Sequence, residues 1–203
     1  TLAYNLENLL YKSHDGDLVL WGVSMGAATI INFFGMAHNN HRINAIKGLI
    51  LESPFAHMLD AIECKICHNK WLSKINRIPY AKELMVKAKY PAHPFNGLQP
   101  IKCIEHLPKQ TPVLFIAIEN DHIVPFSSTI KLYKALIKMG HKKCHLLTIK
   151  NGKHARLSKC ENQEQILGVI HAFRKYYDLG NYSEECARAG WEYFIHNTQP
   201  TFE

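Results

Sequence analysis

Three residues of different chemistry, each in its own turn, could cooperate in acyl transfer. Ser24 stands in Gly22-Val23-Ser24-Met25-Gly26-Ala27, after the apolar run Leu18–Val23 and before a second, helix-like apolar run. A serine on so sharp a strand-to-helix turn presents its hydroxyl to solvent at a helix N-terminus. Unpaired backbone N–H groups there can stabilise negative charge. Both flanking glycines are expected to remove side chains that would collide as strand and helix close together. Asp121 lies in Glu119-Asn120-Asp121-His122-Ile123-Val124-Pro125, and His154 in Lys150-Asn151-Gly152-Lys153-His154.

These residue types divide one job between them. A serine hydroxyl is a weak nucleophile until an imidazole takes its proton. His154 would be that base, and afterwards the acid that protonates the leaving group. Asp121 would hold the imidazole in one tautomer and stabilise the imidazolium. The N–H of Met25 would be one oxyanion donor. Each role has rivals: Glu119 and Glu52 as the acid, His122 as the base. Adjacency to Asp121 should point the His122 side chain elsewhere, and a hydrogen-bonded structural role is expected for Glu52. Taken singly, Ser24 could be a helix N-cap and His154 an exposed histidine among 13.

The elements that must position these residues can be read along the chain. Leu18–Val23 is a short continuous apolar run, the pattern of a buried parallel strand, and 46–51, Val113–Ile118 and 143–149 read as further strands. Helical periodicity appears over 2–12, 25–36, the stretch capped by Ser127 or Ser128 and ended by Gly140, and 161–178. Strands alternating with helices predict an α/β fold, a mostly parallel sheet flanked by helices. Residues 1–203 are expected to form one domain. Residues 56–95 read as a helical cap insert, and 181–203 as a C-terminal tail with a short helix. In parallel sheets, sites form at the carboxyl ends of the strands. Ser24, Asp121 and His154 each follow such an end, with one strand–helix–strand step between the last two.

Composition narrows the function classes. Hydrophobic residues make up 47% of the chain and charged residues 20%, which excludes a disordered segment. No apolar run reaches the roughly 20 residues of a membrane span. The first residues read as an amphipathic helix and not as a leader, so a cytoplasmic location is expected. The net charge is +7, but the excess is scattered and no nucleic-acid motif accompanies it. It reads as a solvated basic surface, and nucleic acid is not an expected partner. Cys64-Lys65-Ile66-Cys67-His68 has a metal-knuckle spacing but no second ligand pair. Free thiols on a helix, no metal and no cofactor are therefore expected. In the insert, Lys65, Lys70, Lys74, Arg77, Lys82, Lys87 and Lys89 outnumber Asp60, Glu63 and Glu83. They sit among Leu59, Ile66, Trp71, Leu72 and Leu84, which suits a lipid-like or anionic substrate or weak contact with a membrane surface.

The Gly22–Ala27 turn, Glu52-Ser53-Pro54-Phe55, the Thr111–Ile116 stretch, Asp121-His122-Ile123-Val124-Pro125 and Gly152-Lys153-His154 together resemble the α/β-hydrolase superfamily. The resemblance is greatest to its branch of small serine esterases, acylglycerol-lipase-like enzymes and prolyl-oligopeptidase-like peptidases, and covers residues 1–178. It implies a serine hydrolase with Ser24 as nucleophile, Asp121 as acid and His154 as base. The substrate would be a carboxylic ester, a thioester or a peptide amide. Family members carry several strands, and a loop with a second oxyanion donor, ahead of the nucleophile strand. Residues 1–17 leave no room for them. The chain would then be either the C-terminal portion of a larger hydrolase or a truncated one. An impaired remnant serving as a binding or regulatory module is the competing reading. The uncovered sheet edge would call for a homo-oligomer or a partner chain.

Overall fold

A computed structural model describes residues 18–37, 41–67 and 97–199. The helix expected over 2–12 and most of the 56–95 insert lie outside the described residues.

Four parallel strands form the sheet in the order β1-β2-β3-β4: β1 Leu18–Val23, β2 Ile46–Glu52, β3 Val113–Ile118 and β4 Cys144–Ile149. Every residue of β3 is buried, as a continuous Val/Leu/Phe/Ile run between two strands requires. β1 pairs with β2 alone among the described strands, and Trp21 on it is half exposed. The outer side of β4 is partly tied by Leu146 N–H, which donates to the Thr198 carbonyl at 3.1 Å.

Side chains of successive strand residues point to opposite faces, so each strand feeds two cores. On one face Leu49, Leu51, Val113 and Phe115 pack with α1 (Met25–Ala37), α3 (Pro100–Cys103) and α4 (Phe126–Lys138). On the other, Ile50, Leu114, Ile116 and Ile118 pack with α5 (Gln163–Tyr176) and α6 (Glu184–Asn197). α2 spans Met58–Cys67, at the start of the expected insert.

Several local expectations need amendment. α4 has Pro125 at its N-cap, without a side-chain cap, in place of Ser127 or Ser128. Ser128 instead accepts the Ala56 N–H at 2.7 Å and donates to Asp60 Oδ2 at 2.5 Å, tying α4 to the α2 region. The C-terminal helix α6 is longer than the short helix expected, at 14 residues. Ser183 caps it by accepting the Cys186 N–H at 3.2 Å. It lies close against α5 where two glycines meet: a Cβ on Gly190 would stand 2.0 Å from the Gly168 carbonyl carbon. That contact makes α6 part of the core, with Ala187 and Phe194 fully buried.

Candidate active site

The site is built at the carboxyl end of the sheet. β1 runs into Ser24, whose φ of 53° lies in the left-handed region that side chains other than glycine rarely adopt. Two bonds hold the turn: Ser24 N–H donates to the Glu52 carbonyl at 2.8 Å, and the Ser24 carbonyl accepts from Ala28 N–H at 3.0 Å. The first extends the β1–β2 ladder one residue beyond the strand, and the second begins α1. A strained backbone at a strand end is the geometry expected of an exposed nucleophile.

The two glycines of the turn differ. A Cβ on Gly22 would come within 2.7 Å of the Ala27 backbone and 2.6 Å of Ile30 Cδ1, so only glycine lets α1 fold back onto β1. A Cβ on Gly26 would meet nothing within 4 Å. The expectation that both glycines prevent collisions therefore holds for Gly22 and fails for Gly26, which faces open space. Met25 opens α1, so helix geometry leaves its N–H without an intrahelical acceptor.

Past β3, the turn places Asp121 below the surface. Its Oδ1 accepts the N–H groups of Ile123 at 2.8 Å and Val124 at 3.0 Å. Its Oδ2 accepts from His154 Nδ1 at 2.7 Å, from the loop after β4. The Asp121 side chain is 1% exposed and that of His154 10%. Burial pushes the Asp121 carboxyl up. The His154 hydrogen bond and the Val124 and Ile123 amides outweigh it and hold the carboxyl below its ordinary value. Asp121 is thus kept ionised, with both oxygens satisfied. Of the rival residues, Glu119 and His122 are exposed.

Glu52 ends β2, between the Ser24 and Asp121 turns, and is 3% exposed. Contrary to the hydrogen-bonded role expected for it, its Oε1 has no hydrogen-bond partner among the described residues. Burial pushes its carboxyl up to about 7; His154 draws it down and Asp121 pushes it up. From the sequence Glu52 is a rival acid; an acidic residue closing the buried apolar run 48–51 is the available signal for more.

Ser24 Oγ makes no hydrogen bond to His154 in this structure. Such contacts are often long before substrate binds and tighten with it. His154 forms part of an open cleft of about 540 Å³ whose wall includes Ile123, His122, Lys153 and Arg156 and, among the described residues, no carboxylate. Cys64 and Cys160 carry buried thiols, and Cys64 Sγ donates to the Asp121 carbonyl at 3.9 Å. Among the described residues no group of three or more His, Cys, Asp or Glu is arranged to hold a metal.

Fold and strand-end site together define an α/β hydrolase, and known proteins bear this out. The prolyl oligopeptidase family model matches residues 13–178, so the chain belongs to that family of serine hydrolases. Among solved structures it is similar to the Pyrococcus horikoshii acylaminoacyl peptidase, at 16% identity and a TM-score of 0.60 over 88% of this chain. It is similar also to a Pyrococcus furiosus esterase, at 16% identity and a TM-score of 0.55 over 88% of this chain. At such identities the likeness concerns the fold. The chain spans 27% of the peptidase and 61% of the esterase. No curated protein sequence matches it.

Proposed function

We propose that this chain carries a serine hydrolase site, with Ser24, His154 and Asp121 acting as a triad. The acyl group of an ester, thioester or peptide amide passes to Ser24 and then to water. The observation that carries this reading is the Asp121–His154 hydrogen bond at 2.7 Å. It joins two loops that follow different strands, at the sheet edge where the Ser24 turn also stands.

The roles follow from the geometry. Donation of the Nδ1 proton to Asp121 leaves the His154 Nε2 lone pair free to accept the Ser24 hydroxyl proton. Ser24 Oγ attacks the carbonyl carbon, and the tetrahedral oxyanion forms near the N-terminus of α1, where Met25 N–H is one donor. His154 then protonates the leaving alcohol, thiol or amine, and the acyl-enzyme remains on Ser24. Water, deprotonated by the same imidazole, releases the acid. The ionised Asp121 stabilises the imidazolium in both half-reactions.

For substrate class, the Lys153 and Arg156 side chains beside His154 favour an anionic group near the scissile bond. Peptide and ester substrates are both proposed, since an acylaminoacyl peptidase and an esterase share the fold. The test is pre-steady-state hydrolysis of a p-nitrophenyl ester by the full chain. A burst of nitrophenol, lost in Ser24→Ala, is expected. A folded chain with no turnover would favour a binding module on a hydrolase scaffold.

A further inference from the structure

We propose that Glu52 is a second carboxylate serving His154: buried beside the Asp121–His154 pair, it supplies a protonatable negative charge that positions the imidazole and stabilises its cationic form. The inference rests on the triad reading above for its consequence in catalysis, and on the structure alone for the coupling between the groups.

The placement is specific. Glu52 is the last residue of β2, in register with Val23 on one side and Ile116 on the other. Its carbonyl anchors the Ser24 turn. Ile50 belongs to the core on the α5 side of the sheet, and strand alternation puts the Glu52 side chain on that same side. Three titratable groups couple to the carboxyl there. His154 comes from the loop after β4, Asp121 from the loop after β3, and Cys160 from the turn that leads into α5.

A buried carboxylate oxygen without a donor is costly, and folded proteins hold few such groups. Asp121 is satisfied by two amides and an imidazole; Glu52 Oε1 has no partner among the described residues. A carboxylate left unpartnered beside a histidine keeps its charge available to that histidine.

When the Ser24 hydroxyl proton moves to His154 Nε2, the imidazole becomes a cation near two carboxyl groups. Ionised, Glu52 adds to the stabilisation that Asp121 provides. Protonated, it withdraws that contribution and leaves Asp121 to act alone. The burial that lifts Glu52 to about 7 places this exchange near neutrality. Glu52 takes no proton from the substrate and touches no reacting atom; it is a positioning residue.

The experiment uses the full chain as wild type, Glu52→Gln, Glu52→Asp and the exposed control Glu119→Gln. Two quantities are followed from about pH 5 to about pH 9: the His154 imidazole resonances, assigned with His154→Ala, and kcat and KM for a p-nitrophenyl ester. The wild-type His154 resonances should report an inflection near pH 7 from Glu52. Glu52→Gln should remove that inflection. It should also lower kcat about tenfold at pH 8 with KM little changed. Glu52→Asp should restore part of both effects, and Glu119→Gln should match wild type.

A His154 titration and a kcat–pH profile that superimpose for wild type and Glu52→Gln would overturn the proposal. Should Glu52→Gln fail to fold, wild-type His154 resonances that follow pH identically in Glu52→Asp, with no inflection from Glu52, would overturn it equally. Ester hydrolysis that survives Ser24→Ala would defeat the triad reading instead, and the resonance titration would still decide the role of Glu52.

Discussion

The two ends of one sheet are built on opposite terms. At the carboxyl end stand a serine at φ 53°, an ionised Asp121, and Glu52 with an unpartnered oxygen. At the amino end of β4, His145 is buried and its needs are met. Its Nε2 bonds the Tyr177 hydroxyl at 2.7 Å, and its ring lies 4.9 Å from Phe194 and 5.8 Å from Phe173, centre to centre. Burial pushes His145 down to about 4 and lifts the Tyr177 hydroxyl, so both are neutral near pH 7. One end holds charge and strain where chemistry could use them, while the other removes charge and packs aromatic rings. Stability and reactivity are thereby separated along about one strand length.

That contrast can be broken first at Asp121. Asp121→Asn preserves the acceptor for the Ile123 and Val124 amides but not the fixed tautomer of His154. An activity loss of about 10³–10⁴ in kcat is expected, with the thermal midpoint little changed. Steady-state kinetics and calorimetry on the same preparation check both halves. Next, at the opposite end, Phe194→Ala should leave specific activity per folded molecule intact and lower stability by about 3–5 kcal/mol. Urea unfolding measures it, and an equal fall in activity with no loss of stability would reverse the assignment of the two ends.

The smaller effects concern pH, and here the two ends oppose each other. His145 is lowered from an ordinary 6.5 to about 4 in the fold. Only the unfolded chain therefore takes up its proton as pH falls below 6.5, and stability drops between about 6.5 and 4. Glu52 is raised from 4.5 to about 7. The folded chain therefore keeps its proton longer, and stability drops as pH rises from about 4.5 to 7. Each contribution is of order 1–3 kcal/mol, and the two nearly cancel over that window. Glu52→Gln should unmask the His145 slope, with urea midpoints rising from about pH 5 to about pH 7. His145→Gln should unmask the opposite slope. A flat profile in both variants would show that neither group titrates differently on folding.

Much of this architecture can be read from the sequence. The four strand-like stretches became the four strands, most plainly Val113–Ile118, where burial on both faces leaves a continuous apolar signal. Ser24, Asp121 and His154 fall at strand ends, so alternation of elements was enough to bring them to one edge. Glu52 was harder to interpret. A residue letter does not show that no donor reaches Oε1, since that depends on how β1, β3 and the β4 loop surround it. The importance of α6 was hidden for a related reason: Gly168 and Gly190 reveal themselves only when two helices touch. The separate fates of Gly22 and Gly26 likewise depend on what lies opposite each α-carbon.

The central claim is that Ser24 is the nucleophile activated by His154. The most direct measurement is labelling of the native chain with a fluorophosphonate, followed by peptide mapping of the modified residue. A single adduct on Ser24 Oγ is expected, absent in Ser24→Ala and after unfolding, and slowed about 10³-fold or more in His154→Ala. An adduct on any other residue, or labelling that persists in folded Ser24→Ala, would contradict that claim.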